Sequence, residues 1–566
     1  LEKPKKSSAK TDVSRIQPYD GGILKEIHLL SGKETLDRIL EHHAPQQLVR
    51  RMPSQDFFWL IQEVEEEASL QLLKFASLKQ WQYLLDLELW RGDRLEITEA
   101  FQWLRRLLLS DPRRLVRWLF AEGQTFCYYY FYKSVQVEIK EGDEVYDVKD
   151  EFITLDGLYY IRIPERDQKE TTEGILRKMA DEDLPRYQSL LLGLAGVIPA
   201  ELEEEMYRLR NVRLAEHGFL PREEALLVYS PLKPDALVGK EKEEKVVPMV
   251  DQETLDLAPY SAFHYAKSKN LLSKAALRIT DARFSDRIRL EFAGLCNQIL
   301  SADGPQVNDL DVLKKTCRKA AGYLNLVLEK TCSKDISAAE ALLKQNSLIS
   351  LFRTGFGLAQ ELKWEAERWL KVCWFSHNGL DYGFWGDEWG NTLAGLVAKR
   401  PQYYDGREGG EYRDFEYLSD LTAAHGILHH LIVLDRLLAN LTGTSPLTKK
   451  VAQTPDLAVH SLLFTLWARQ MLDLKPSLEG ISLKQAKRFF RLLRAGDKSP
   501  PYQMLGFEEA FVKEFIAAAP GFDTREAATL KDTLSLLWQE FFQEYERVGI
   551  DALDARFSKY ILIRGR

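Results

Sequence analysis

The chain has 566 residues, too many for a single hydrophobic core, so two to four domains are expected. Its 45% hydrophobic and 29% charged residues describe an ordinary soluble globular protein, and a formal net charge of −8 argues against nucleic-acid binding over the whole surface. Five scattered cysteines that are never spaced C-x-x-C argue against a disulfide frame or a cysteine zinc site, and no apolar run reaches the roughly 18–20 residues that span a bilayer.

The first residues, LEKPKKSSAK, are basic and small without an apolar centre, so they are not a signal peptide and read as a disordered tail over 1–20. The absence of an initiator Met fits a trimmed or partial chain. From 21 to 133 the text is helix, short turn, helix, and part of it nearly repeats. Leu48 to Ile61 (LVRRMPSQDFFWLI) aligns without gaps on Leu72 to Leu85 (LLKFASLKQWQYLL), 24 residues further on. Phe57 matches Trp81 and Trp59 matches Tyr83, so Trp59 and Trp81 are expected core anchors of stacked helix pairs. Leu104 to Leu119 reads as a divergent third copy, with Leu115, Trp118 and Leu119 on one helical stripe. The same region carries Arg105, Arg106, Arg113, Arg114 and Arg117, with Arg50 and Arg51 nearby. Clustered Arg can follow a phosphate backbone and Trp103 or Trp118 could stack bases, although both Trp fall on the apolar stripe and charged helix faces are usually just solvated.

At 134–165 the apolar period changes from helical to two. Val135 to Lys140 alternates, and Asp156-Gly157 joins two β-forming runs, which predicts a small antiparallel hairpin insert. Residues 166–250 read as a charged helical connector. Its longest helix runs from Pro199 to about His217, with Glu early and Arg late as the helix dipole prefers, a possible Glu204–Arg208 pair, and Gly218 at its end. The run Gly239 to Lys245 (GKEKEEK) is the expected linker. The remainder, 251–566, is read as a larger C-terminal helical domain. The fold class expected is therefore mainly α, with an N-terminal superhelix of short helix pairs.

Four runs together, RILEHHAPQQLVRRMPSQDFFWLIQEV, EFITLDGLYYIRI, RNVRLAEHGFLPREEALLVYS and GNTLAGLVAKRPQYYDG, resemble an uncharacterised bacterial domain-of-unknown-function family over most of the chain. That resemblance implies no activity, cofactor or catalytic residue. The N-terminal repeats alone are similar to the cytosolic N-terminal domain of MgtE-type magnesium transporters and to flagellar motor-switch superhelices, which implies a regulatory or assembly surface. The lack of a membrane span rules out a transporter, and the acidic run Glu63 to Glu67 matches no magnesium-binding motif.

Two constellations in the C-terminal half carry candidate chemistry. His425 and His429 in HGILHH are four apart and share a helix face, a spacing suited to two imidazole ligands of a divalent metal. No Glu stands between them, so a third ligand must come from elsewhere, with Asp420 and Asp435 the candidates. The competing reading is a packing helix edged by His. The run Ser376 to Asn391 (SHNGLDYGFWGDEWGN) combines His377, Asp381, Asp387 and Glu388 with Tyr382, Trp385 and Trp389, the parts a carboxylate-based glycosidase uses. The competing reading is a Gly-rich loop packed by its own aromatics, with Asn391 capping a helix that runs to Arg400.

No phosphate-loop, dinucleotide, nucleophile-elbow or H-E-x-x-H motif occurs. The leading expectation is thus a cytoplasmic, non-enzymatic interaction or regulatory scaffold with a protein partner. A metal- or carboxylate-dependent enzyme sited at 376–435 stands as the first alternative, and nucleic-acid binding through the Arg face as the second and less favoured. No cofactor is expected beyond a divalent metal under the enzyme alternative, and oligomeric state is not encoded in any motif.

Overall fold

The computed structural model describes residues 30, 32–139, 151–237, 259–260, 262–263, 269–304, 308–443, 447, 451, 457–494 and 499–564. The expected tail over 1–20 and the linker Gly239 to Lys245 lie outside them. The described residues are mainly helical, with three small antiparallel sheets. None of their helices is long and apolar enough to cross a membrane. Contacts divide the chain into two compact units. The first comprises 1–230, 237–321 and 335–352; the second comprises 231–236, 322–334 and 353–566.

In the first unit the repeats form three successive helix pairs: α1 (Pro45–Arg51) with α2 (Ser54–Glu63), α3 (Glu66–Phe75) with α4 (Leu78–Glu88), and α5 (Ile97–Ser110) with α6 (Pro112–Leu119). The first helices pack as one layer, α1 on α3 and α3 on α5, while α2 packs on α4 in a second layer. The aligned positions explain the stacking. Leu48 and Leu72, Phe57 and Trp81, Trp59 and Tyr83, and Ile61 and Leu85 are all buried. Each copy thus hides its apolar face on its neighbour, as repeats that cannot fold alone must. The turns are fixed by polar groups as well. Ser77 and Gln80 form a capping box at the start of α4. The Gln80 amide also donates to the Val49 and Met52 carbonyls at 2.7 and 2.9 Å, which ties the second turn to the first.

The predicted sheet follows. Strands β1 (Gln136–Ile139), β2 (Phe152–Thr154) and β3 (Tyr159–Arg162) pair antiparallel with β3 in the centre. Between β2 and β3, Gly157 takes φ +72° and the Asp156 carboxylate accepts from the Leu158 and Tyr159 amides, so the Asp-Gly turn forms as its residues dictate. Pro199–Ala215 is a helix, and Gly218 beyond it is left-handed with φ +85°. Two further hairpins, Trp90–Arg91 with Arg94–Leu95 and Tyr403–Asp405 with Glu411–Arg413, were not foreseen. Strands of two or three residues are too short to show an alternating period.

The second unit has its own core. Around Phe464 the rings of Phe511 and Phe541 stack at 4.6 and 4.2 Å, and Trp467, Phe490 and Trp538 complete the cluster. Three elements of this unit position the candidate residues: α7 (Leu348–Leu370), most of which belongs here, α8 (Asp387–Val397) and α9 (Leu418–Thr442).

Candidate functional site

Helix α9 is held at its start by Asp420, whose carboxylate accepts from the Glu416 and Tyr417 amides and from the Arg413 guanidinium at 2.8 Å. It stops at Gly443, where φ is +64°. Leu428, Leu431, Leu434, Leu437 and Leu438 are fully buried on one side, which turns His425 and His429 outward. The two imidazoles lie with their Nε2 atoms 3.0 Å apart and their ring centroids 4.3 Å apart.

The third group is Glu365 of α7. Its Oε2 is 3.3 Å from His425 Nε2 and its Oε1 is 3.5 Å from His429 Nε2. Among the described residues this trio is the group of His, Cys, Asp and Glu side chains close enough to hold a metal ion. The side chains are 48%, 50% and 34% exposed for His425, His429 and Glu365, so the cluster opens on solvent.

The expected third ligands are corrected. Asp420 is engaged by Arg413 and the start of α9. Asp435 is buried and accepts from the Trp374 and Phe375 amides at 3.1 and 2.8 Å, and burial pushes its carboxyl above the usual range. Nothing in the text around Glu365 distinguishes it from the other charged residues of α7. The remaining histidine, His430, faces another way. It stacks on Trp389 at 5.6 Å and its Nδ1 lies 2.7 Å from the Thr533 hydroxyl, while burial pushes its pKa down. It therefore helps to seat α9 in the second unit.

The 376–391 run folds as a loop closed by its own rings. Phe384 and Trp385 are buried against Phe375, Asp381 accepts from the Gly383 amide, and His377 donates from Nδ1 to the Cys373 carbonyl at 2.6 Å. Asp387 and Glu388 occupy the first turn of α8, where carboxylates suit the positive end of the helix. The helix begins a full turn earlier than expected, so Asn391 lies inside it and donates to the Asp387 carbonyl. The reason is Gly386, which at φ +86° turns the chain directly into α8, and Gly390, where a Cβ would meet the Tyr382 carbonyl oxygen. A hollow of about 430 Å³ lined by Leu370, Phe375, Ser376, Leu380, Asp381 and Tyr382 lies beside the loop.

The arginines of the repeats are engaged by their own unit. Arg105 pairs with Glu66 at 3.0 Å, Arg106 donates to Ser69 and lies over Trp103, and Arg113 pairs with Glu182 at 3.3 Å. Arg114 reaches the Lys74 and Ala76 carbonyls at the end of α3, bonds Asp111 and covers the Trp81 ring, while Arg50 donates to the Phe75 carbonyl. Basic side chains on the last carbonyls of a helix satisfy groups that have no partner within it. Arg117 contacts the Arg113 carbonyl at 3.4 Å. Trp103 and Trp118 are buried, which corrects the expectation that either could stack on a base.

A family model described as a family of unknown function, DUF6178, matches residues 21–564, and the chain belongs to that family. Neither a curated protein nor a solved structure matches the chain, so the likeness of its repeats to the transporter domain has no counterpart in these comparisons.

Proposed function

We propose that this member of a family of unknown function binds one divalent transition-metal ion of the zinc class between Glu365, His425 and His429. The observation that carries the reading is the convergence of two imidazole Nε2 atoms, 3.0 Å apart, with one carboxylate whose Oε2 and Oε1 lie 3.3 and 3.5 Å from them. Metal bonds of ~2.0–2.1 Å in tetrahedral geometry place neighbouring ligand atoms ~3.3–3.4 Å apart. Two imidazoles and one carboxylate also suit Zn²⁺, whereas Mg²⁺ and Ca²⁺ prefer an all-oxygen set. Cys127, Cys296, Cys317, Cys332 and Cys373 are joined by no disulfide among the described residues, which supports a reducing, cytoplasmic setting.

Metal analysis of the purified full chain tests this directly. One equivalent of metal is expected in the wild type after loading with Zn²⁺ and desalting, and none in the His425→Ala/His429→Ala variant. Equal metal content in the two proteins removes the reading.

The stacked layer α1–α3–α5 favours a second reading, in which the first unit is a protein-binding scaffold of non-enzymatic character. Pull-downs with the full chain and with residues 21–123 should retain the same protein. A partner kept by the full chain and lost by that fragment places the interface elsewhere.

A further inference from the structure

We infer that a metal ion held by Glu365, His425 and His429 keeps one coordination position open to solvent, and that this position, together with Arg368, takes an oxyanion: a carboxylate or a phosphate. The inference rests on the metal reading of the same three side chains.

Geometry sets the open position. An ion bonded at ~2.05 Å to the two Nε2 atoms and to one oxygen of Glu365 has three of its four tetrahedral positions filled, which leaves the fourth directed away from those ligands. The three ligands are a third to a half exposed, and among the described residues no fourth His, Cys, Asp or Glu joins the group. The neighbouring exposed surface of α9 is small: Thr422, Ala423 and Gly426, and a Cβ at Gly426 meets no atom within 4 Å. Gly426, next to His425 and three residues before His429, puts no side chain over that part of α9.

Charge sets the ligand. A divalent ion with one carboxylate and two neutral imidazoles keeps a net charge of +1, which favours an anion or ionises a bound water. Arg368 is exposed and lies three residues after Glu365, so it shares that face of α7 one turn away. Its planar guanidinium fits the paired oxygens of a carboxylate or phosphate. Glu361 lies a turn away in the opposite direction and repels an anion, which places the ligand on the Arg368 side.

The test uses the full chain loaded with Co²⁺, whose visible absorption reports the ligands around the ion. Sodium acetate and inorganic phosphate are titrated separately at constant ionic strength. A saturable spectral change with either anion is expected, and the responding anion identifies the class. In Arg368→Gln the ion should bind as before while the anion binds roughly tenfold more weakly, a loss of about 1.4 kcal/mol. Bound Co²⁺ whose spectrum responds to neither anion overturns the open position and leaves the metal reading standing. An unchanged anion titration in Arg368→Gln overturns the two-part oxyanion site. Co²⁺ that fails to bind, or binds equally to His425→Ala/His429→Ala, removes the metal reading and this inference with it.

Discussion

The arginines of the helix pairs and the histidines of α9 are both conspicuous clusters of functional side chains, yet the structure treats them in opposite ways. Arg114 is wrapped by Asp111, the Trp81 ring and two carbonyls of α3. Arg105, Arg106 and Arg113 meet Glu66, Ser69 and Glu182. Among the described residues, His425 and His429 instead meet each other and Glu365, on a half-exposed face. A cluster is a candidate site when its polar atoms converge on a shared space open to solvent. One whose atoms already satisfy carbonyls and carboxylates of the same unit is part of the fold. The difference lies in the partners, and residue type alone does not show it.

The largest expected effect tests the structural side of this contrast. Trp81 is fully buried at the matched position of the repeat and donates from Nε1 to the Leu73 carbonyl. Trp81→Ala should cost roughly 3–5 kcal/mol, read from urea unfolding, because it leaves a cavity between two copies. A midpoint within error of wild type would count against stacked pairs.

The next effect concerns a histidine of the second unit that is half-buried against a tyrosine ring. His460 packs on Tyr560 at 4.4 Å, and burial pushes its pKa down to about 4. The unfolded value is ~6.5, so between pH 6.5 and 4 the unfolded chain takes up a proton that the folded chain refuses. The contribution is fully present above pH 6.5 and is lost as the pH falls to 4, by roughly 3 kcal/mol. His460→Phe should flatten this fall. A residual slope is expected from His217 and His430, which burial also pushes down. An identical slope in wild type and variant would contradict the burial account.

Arg114→Ala should cost about 1–3 kcal/mol, since it strips the last carbonyls of α3 and the Asp111 carboxylate of their partner. If it costs nothing, the claim that these arginines belong to the fold loses its best case. The smallest effect completes the contrast. In the absence of metal, His425→Ala/His429→Ala should change stability by no more than about 0.5 kcal/mol, because both side chains are half exposed. A loss of several kcal/mol would make the histidines structural after all.

Much of the fold was legible in the sequence. The 24-residue offset, the period change near Ser134 and the Asp156-Gly157 turn depend on neighbours in the chain, and each was realised. Within the candidate site the pair His425 and His429 was legible too, because a spacing of four on one helix places two side chains together. The start of α8 was misjudged because Asn391 is a good capping residue by type, whereas the left-handed Gly386 set the boundary.

Local order, then, was written in the text: helical periods, turn residues and repeat register are short-range preferences that every residue carries with it. Glu365 was not, since it lies 60 residues before His425 and meets it only because α7 and α9 present those faces to one another. The engagement of Arg105, Arg106, Arg113 and Arg114 was likewise set by which carbonyl, carboxylate or hydroxyl each could reach after packing. Packing brings distant residues within a few ångströms, and no periodicity encodes which ones; that is why one half of the candidate site could be read from the sequence and the other half came from the fold.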